Sequence, residues 1–267
     1  MKFALNHMTA PTMPVADFFD LALSLGIKAV EIRNDLANNA ILDGTAPGEI
    51  RRMAQDRGIE IISINALQRF NEWNEPRAGQ ADELIAYARD CGAKALVLVP
   101  KNDGTGREDG ERQRNLREAL AALKPRLKAA GVIGLVEPLG FAICSLSSKQ
   151  EAADAIEAVN GTDVFKLVHD TFHHHLAGEP ALFPAMTGLV HISGVTDPAV
   201  SVADMRDSHR VLVDGDDRLG NVGQIRALRA AGYEGPLSFE PFADSVHALG
   251  DPGAAVKASM DHIRAAV

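Results

Sequence analysis

Four residues able to grip a cation stand at the ends of separate apolar runs: Glu137 in LVEPLG, Asp170 in KLVHDTFHHH, His191 in GLVHISGV and Glu240 in GPLSFEPF. Two glutamates, an aspartate and a histidine form a mostly oxygen donor set with one nitrogen, which suits Mn2+, Co2+ or Mg2+ and accepts Zn2+. A single acid after a strand is usually a solvated loop residue or a helix cap. Four at equivalent places read differently. Glu137 and Glu240 each follow a hydrophobic residue and precede proline, in VEP and FEP, so each lies within an apolar strand end. A carboxylate buried there needs a cation or a full set of donors. The four residues therefore point to one divalent metal site.

To bring these residues together, the chain must place four strand ends on one face. Strand-like and helix-like segments alternate along the whole sequence in eight rounds. The strands are expected at 2–6, 29–33, 60–65, 95–100, 133–138, 164–170, 189–194 and 237–242. Between them lie amphipathic patterns such as ADELIAYARDCG and KQEAADAIEAVNG, several ending in a glycine suited to a helix C-cap, and a last helix spans roughly 252–266. Alternation of this kind implies parallel βαβ units, and eight of them imply a single (β/α)8 TIM barrel, in which all strand C-termini converge at one mouth. A doubly wound sheet is the alternative. No GxGxxG or Walker loop follows the first strand, which continues LNHMTAP. The longest irregular stretch, about 195–222, carries Arg206, His209, Arg210 and several aspartates and reads as a lid or substrate loop.

The bulk properties agree with one domain over 1–267. A length of 267 residues matches a barrel of about 250. The net charge of −9 comes without any basic stretch, so nucleic acid is excluded as a partner and a small, neutral or weakly charged molecule is favoured. Cys91 and Cys144 form neither a disulfide framework nor a CxxC pair, which fits a reducing cytoplasm. The opening MKFALNHMT does not read as a signal peptide, and no run approaches the roughly 18 apolar residues of a membrane span. The sequence is compatible with a homo-oligomer and does not fix one.

Other side chains are expected at the mouth. Of His173, His174 and His175, the first is placed to enter it, and the other two to cover the following helix. Phe70 and Trp73, in the polar segment NALQRFNEWNE, are candidates to stack on the apolar face of a sugar or cyclitol ring. Lys101 reads as a surface residue.

With these residues in hand, the chain resembles the xylose isomerase-like TIM barrels that act on sugars and cyclitols, and within them most nearly the inosose (2-keto-myo-inositol) isomerases. The resemblance rests on VEIR at 30–33, NALQRFN at 65–71, VEPLGF at 136–141, HDTFHHHLAGE at 169–179, HISGV at 191–195, HRV at 209–211 and FEPF at 239–242. It implies that Glu137, Asp170, His191 and Glu240 bind the metal, while His173 and Arg210 face substrate. Two departures stand out. Ketohexose 3-epimerases of this group carry a further glutamate six residues after the first metal glutamate, where this chain has Ile143. The family's Pro-Gly-x-Gly segment after the loop arginine is replaced here by Asp214-Gly215-Asp216-Asp217-Arg218-Leu219-Gly220.

The implied chemistry moves a carbonyl along a polyol through an enediolate, with Glu137 and Glu240 carrying the proton. A ketose 3-epimerase, an inosose dehydratase and a non-catalytic sugar-binding protein are the alternatives. The related apurinic endonucleases would need a larger His-rich site and a basic face, which this sequence lacks.

Overall fold

The computed structural model describes residues 1–267. Eight parallel strands follow one another in chain order around a closed barrel: β1 (Phe3–Asn6), β2 (Ala29–Arg33), β3 (Glu60–Gln68), β4 (Ala95–Val99), β5 (Ile133–Val136), β6 (Phe165–Asp170), β7 (Thr187–Ile192) and β8 (Leu237–Phe239). The ring closes where β8 pairs with β1, Leu237 opposite Phe3. Around it lie α1 (Val15–Ser24), α2 (Pro47–Arg57), α3 (Glu75–Cys91), α4 (Glu111–Ala130), α5 (Lys149–Ala158), α6 (Thr171–Ala177), α7 (Asn221–Ala230), α8 (Asp244–His247) and α9 (Pro252–Ala266). This is the (β/α)8 barrel that the alternation predicts.

Local chemistry moves some boundaries. Helix α3 begins at Glu75, ahead of the periodic segment, because Asn74 accepts the Arg77 N–H as a side-chain cap and Pro76 has no N–H to satisfy in the first turn. Helix α6 has only seven residues and starts directly on Asp170, whose side chain accepts the His173 N–H. The strand and helix patterns overlap at that point, which hides so short a helix from periodicity.

Side-chain parity sorts the barrel into an outer shell and an interior. Leu5, Val30, Leu96, Leu98, Val136, Leu167, Val190, Ile192 and Phe239 point outward and join the helices in one large core. The opposite parity gives Ala95, Val97, Leu135, Val168 and Leu189, a separate small apolar cluster that fills the barrel interior. Continuing that inward parity leads to the polar residues. Glu137 stands two after Leu135, Asp170 two after Val168 and His191 two after Leu189; Glu31 and Arg33 share one face of β2, as Ser238 and Glu240 do at β8.

The connection from β7 to α7 is folded onto the barrel. Gly194 and Val211 pair as an antiparallel bridge, and Val195, Met205 and Leu219 bury themselves against Phe172 of α6. Asp217 accepts the backbone N–H groups of Val195, Leu219 and Asn221. The stretch expected as a lid or substrate loop is thus anchored to the barrel through these contacts, and it delivers Arg210 to the mouth.

Candidate metal centre at the barrel mouth

Glu137 and Glu240 are the last groups of their strands still on the ladder. Their backbone N–H groups bond to Leu98 O at 3.1 Å and Ile192 O at 3.0 Å, and the proline after each has no N–H to continue. Asp170 ends β6 and caps α6, with Oδ1 on the His173 N–H at 2.9 Å and Oδ2 turned inward. His191 sits at the same level on β7. One ligand atom from each of Glu137, Asp170, His191 and Glu240 lies within 4.8 Å of the other three, and all four residues are buried.

His191 is the centre of this group. Its Nδ1 lies 2.9 Å from Glu137 Oε1, 3.1 Å from Glu240 Oε2 and 3.9 Å from Asp170 Oδ2. Its other nitrogen, Nε2, is 3.1 and 3.2 Å from the two carboxylate oxygens of Glu31. Glu31 is fully buried and accepts from Ser63 Oγ at 2.5 Å, Asn65 Nδ2 at 2.7 Å and Ser238 Oγ at 2.5 Å. An acceptor this well supplied with donors is an ionised carboxylate, so Nε2 carries a proton toward it and the Nδ1 lone pair is left for a cation.

Two guanidinium groups complete the charge pattern. Arg210 Nη2 bonds to Asp170 Oδ2 at 2.6 Å and Glu240 Oε2 at 3.1 Å, and its Nε bonds to Ser193 Oγ. Its plane is held between the rings of Phe172 and Phe242, 5.1 and 4.6 Å from their centroids. Arg33 Nη1 bonds to Glu240 Oε1 at 2.8 Å and Asn6 Oδ1 at 3.2 Å, and the rest of its fork takes Asp35. Four buried carboxylates therefore face two buried arginines. The two negative charges left over equal the charge of one divalent ion, with His191 neutral.

The proton affinities follow from the same crowding. Burial drives the Glu137 carboxyl above the ordinary carboxylate value. Burial acts likewise on Asp170 and Glu240, but Arg210 outweighs it at Asp170, and His191 with Arg210 and Arg33 outweighs it at Glu240, so both end low. Burial pulls His191 down, yet Glu240, Glu31 and Glu137 together hold it well above the usual imidazole value. The donor set thus recruits positive charge, a proton or a divalent ion competing for Nδ1. Three carboxylates and one neutral imidazole fit the hard or borderline divalent ions expected above.

Above this floor opens a cavity of about 340 Å3, lined mainly by polar side chains. Glu137, Glu240, His173 and Arg210 all reach it. The His173 ring has a buried Nδ1 without a protein partner. His174 stays outside, its ring 4.6 Å from His169 and its Nδ1 against Lys149.

The aromatic expectation is corrected. Phe70 is fully buried in the main core, because the chain turns at Arg69, with φ 56°, and ties the Phe70 N–H to Val99 O. Trp73 packs at the edge of that core under Arg126 of α4, 5.5 Å from its ring centre. Neither lines the cavity. Its aromatic walls are Phe141 and Phe242, both inside the VEPLGF and FEPF segments. Arg210 also differs from expectation, since it grips two carboxylates of the candidate metal group, Asp170 and Glu240, as well as facing the cavity. Glu31, Arg33 and Asn6 were not singled out. The available signal was AVEIR, where two charged residues share one face of an otherwise apolar strand.

The family described as xylose isomerase-like TIM barrel matches residues 19–266. Among solved structures, a xylose isomerase domain containing protein from Salmonella typhimurium LT2 is 31% identical, with 99% of this chain and 96% of that one covered and a TM-score of 0.90. An IolI protein solved with a bound zinc atom is 21% identical, with 100% and 99% covered and a TM-score of 0.89. A D-psicose 3-epimerase from Clostridium cellulolyticum H10, solved with D-tagatose, is 16% identical, with 100% and 99% covered and a TM-score of 0.72. No curated protein matches the sequence.

Proposed function

The chain belongs to the xylose isomerase-like TIM barrel family, and from that premise we propose that it is a divalent-metal-dependent isomerase that moves a carbonyl along a cyclitol or sugar, an inosose being the substrate that fits best. The observation that carries this reading is the buried group Glu137, Asp170, His191 and Glu240, whose ligand atoms lie within 4.8 Å of one another beneath a polar cavity. The four would hold the ion, and a bound divalent ion supplies a Lewis acid for the negative charge of an enediolate.

The reaction removes a proton from the hydroxyl-bearing carbon beside C=O and returns one to the former carbonyl carbon, while the hydroxyl proton passes between the two oxygens. Glu137 is the better placed of the two glutamates to carry the carbon-bound proton. Its Oε1 meets His191 and its Oε2 has no protein partner, whereas both oxygens of Glu240 are taken by Asn6, Arg33, Arg210 and His191. Proton transfer by a placed carboxylate contributes about 10²- to 10⁴-fold to rate. Glu240, held ionised by its two arginines, stabilises the floor, and His173, whose ring lines the cavity, bonds a substrate hydroxyl.

The epimerase reading is less well supported. At the position of the additional epimerase glutamate stands Ile143, 49% exposed and outside the polar cavity, so no second carboxylate faces Glu240 from there. A dehydratase would expel a hydroxyl from the same enediolate. The inosose reading carries with it a role in inositol catabolism in the cytoplasm.

Incubating the metal-loaded protein with inososes and ketoses in deuterated water, followed by NMR, tests the proposal. Deuterium should enter beside the carbonyl of an inosose together with an isomeric product, stop with EDTA and return with Mn2+ or Co2+. Turnover that persists in EDTA, or a product carrying no solvent deuterium after a single turnover, defeats it.

A further inference from the structure

A second cavity, of about 610 Å3, adjoins the first and shares Asn102, Phe141 and Asp207 with it. Its character is different. The walls away from the junction include Ile143, Leu176 and Val202, and Ile143 and Val202 are 49% and 43% exposed. Large apolar side chains gathered around an open cavity mark a binding place more often than a decorative surface. The charged groups at its edge are already committed. Arg206 Nη1 bonds to Ala203 O and Met205 O, and Asp207 pairs with Arg210.

The partition between the two cavities is fixed. A Cβ at Gly140 would lie 2.2 Å from His173 O and 2.7 Å from Leu176 Cβ, so the β5–α5 connection rests directly on α6. That contact sets Phe141 edge-on to His173, 5.1 Å between ring centres, with a polar chamber on one side and an apolar one on the other. At the junction, Asn102 Oδ1 is buried without a protein partner.

We propose that the second cavity is a subsite for a neutral apolar group, alkyl or aryl, carried by the polyol whose carbonyl end lies over Glu137, and this rests on the isomerase reading above. Adjacency decides the occupant, because the two chambers meet over the shared residues Asn102, Phe141 and Asp207. A molecule anchored by hydroxyls in the first chamber passes Asn102 and Phe141 and places its substituent among Ile143, Leu176 and Val202. The enzyme's substrate range then extends to substituted polyols, with the ring recognised by polar groups and the substituent by burial.

The test compares inosose with its regioisomeric mono-O-benzyl ethers on metal-loaded wild type and on the double variant Ile143→Ser with Val202→Ser. Dissociation constants come from calorimetry and turnover from solvent-deuterium exchange. Covering even a third of an aromatic ring's surface corresponds to about tenfold in affinity. At least one ether should bind about tenfold or more tightly than inosose to wild type. The double variant should lose that advantage while binding inosose unchanged. The proposal is overturned if no ether gains affinity, or if the gain survives in the double variant. It is likewise overturned if sedimentation shows that the chain self-associates and the two serines dissociate it without altering the affinity ratio. Preferential binding of an ether without deuterium exchange on any substrate leaves the subsite standing and removes the isomerase reading.

Discussion

Replacing Glu31 by Gln isolates what the buried carboxylate behind His191 contributes. The side chain keeps its shape, so Ser63, Asn65 and Ser238 retain a partner. The amide NH2 goes most cheaply on the Oε1 side, where the Ser238 hydroxyl can turn and accept, leaving the amide oxygen for Asn65 and the His191 N–H. What is lost is the charge at 3.1–3.2 Å from Nε2. A hydrogen bond to a charged group is worth about 1.5–3 kcal/mol against about 0.5–1.5 for a neutral one, so the deficit is about 1–2 kcal/mol. That corresponds to about 5- to 30-fold weaker metal binding, in line with the effect of altered partners behind ligating histidines. Titration against a competing chelator at fixed pH measures it directly. Thermal melts of the metal-free protein serve as control, with Glu31→Ala expected to melt lower than Glu31→Gln because it strands four donors. Metal affinity within twofold of wild type in a folded Glu31→Gln protein would refute the idea that this carboxylate prepares His191.

His173→Ala should lower kcat/KM roughly ten- to a thousand-fold with metal content unchanged, since its ring reaches the cavity and not the ligand cluster; His174→Ala, which loses packing on His169, should alter melting temperature more than kcat/KM. Arg210→Ala leaves Asp170 and Glu240 without their shared cation, so the metal-free protein should lose about 3–5 kcal/mol in denaturant unfolding and recover part of it when Mn2+ is added; an unchanged midpoint contradicts the ion pairs. His7, stacked on Phe18 with Nε2 on Met13 O, is lowered to about 4 by burial, and the Met13 carbonyl opposes the shift only partly. Its folded value lies below the ordinary one, so its contribution is complete above about pH 6.5 and is lost as pH falls toward 4. The loss totals about 3 kcal/mol. Across that window the denaturant midpoint of metal-free wild type should fall relative to that of His7→Phe as pH drops, and parallel curves would show that His7 is not the group responsible.

The eight strands were legible because each is a short, largely apolar run and most are bounded by glycine or proline, and the four residues of the candidate metal group because each interrupts such a run at its C-terminal end. Glu31 was harder to find. Inside AVEIR its charge looks like that of a strand with one solvated face, and only closure of the barrel makes that face an interior. Phe70 misled for the converse reason. Its polar neighbours signal a loop, while the left-handed turn at Arg69 that drives the ring into the core depends on pairing with β4. The partners of Arg210 lie on β6 and at the end of β8, at separations no local pattern records.

The polar storey around Glu31 also bears on how the barrel keeps its strands aligned. Glu31 comes from β2, Ser63 and Asn65 from β3, His191 from β7 and Ser238 from β8, so one side chain spans the lumen and ties four staves of the barrel. The apolar cluster below it fills space and tolerates sliding, since one methyl group resembles another. Hydrogen bonds of 2.5–3.2 Å do not. A slip of one residue in β2 would turn Glu31 into the outer shell and bring Val30 or Ile32 inward. The carboxylate that orients His191 is thereby also the pin that fixes shear between opposite sides of the barrel, and correct strand alignment and assembly of the candidate ion site become a single condition on folding.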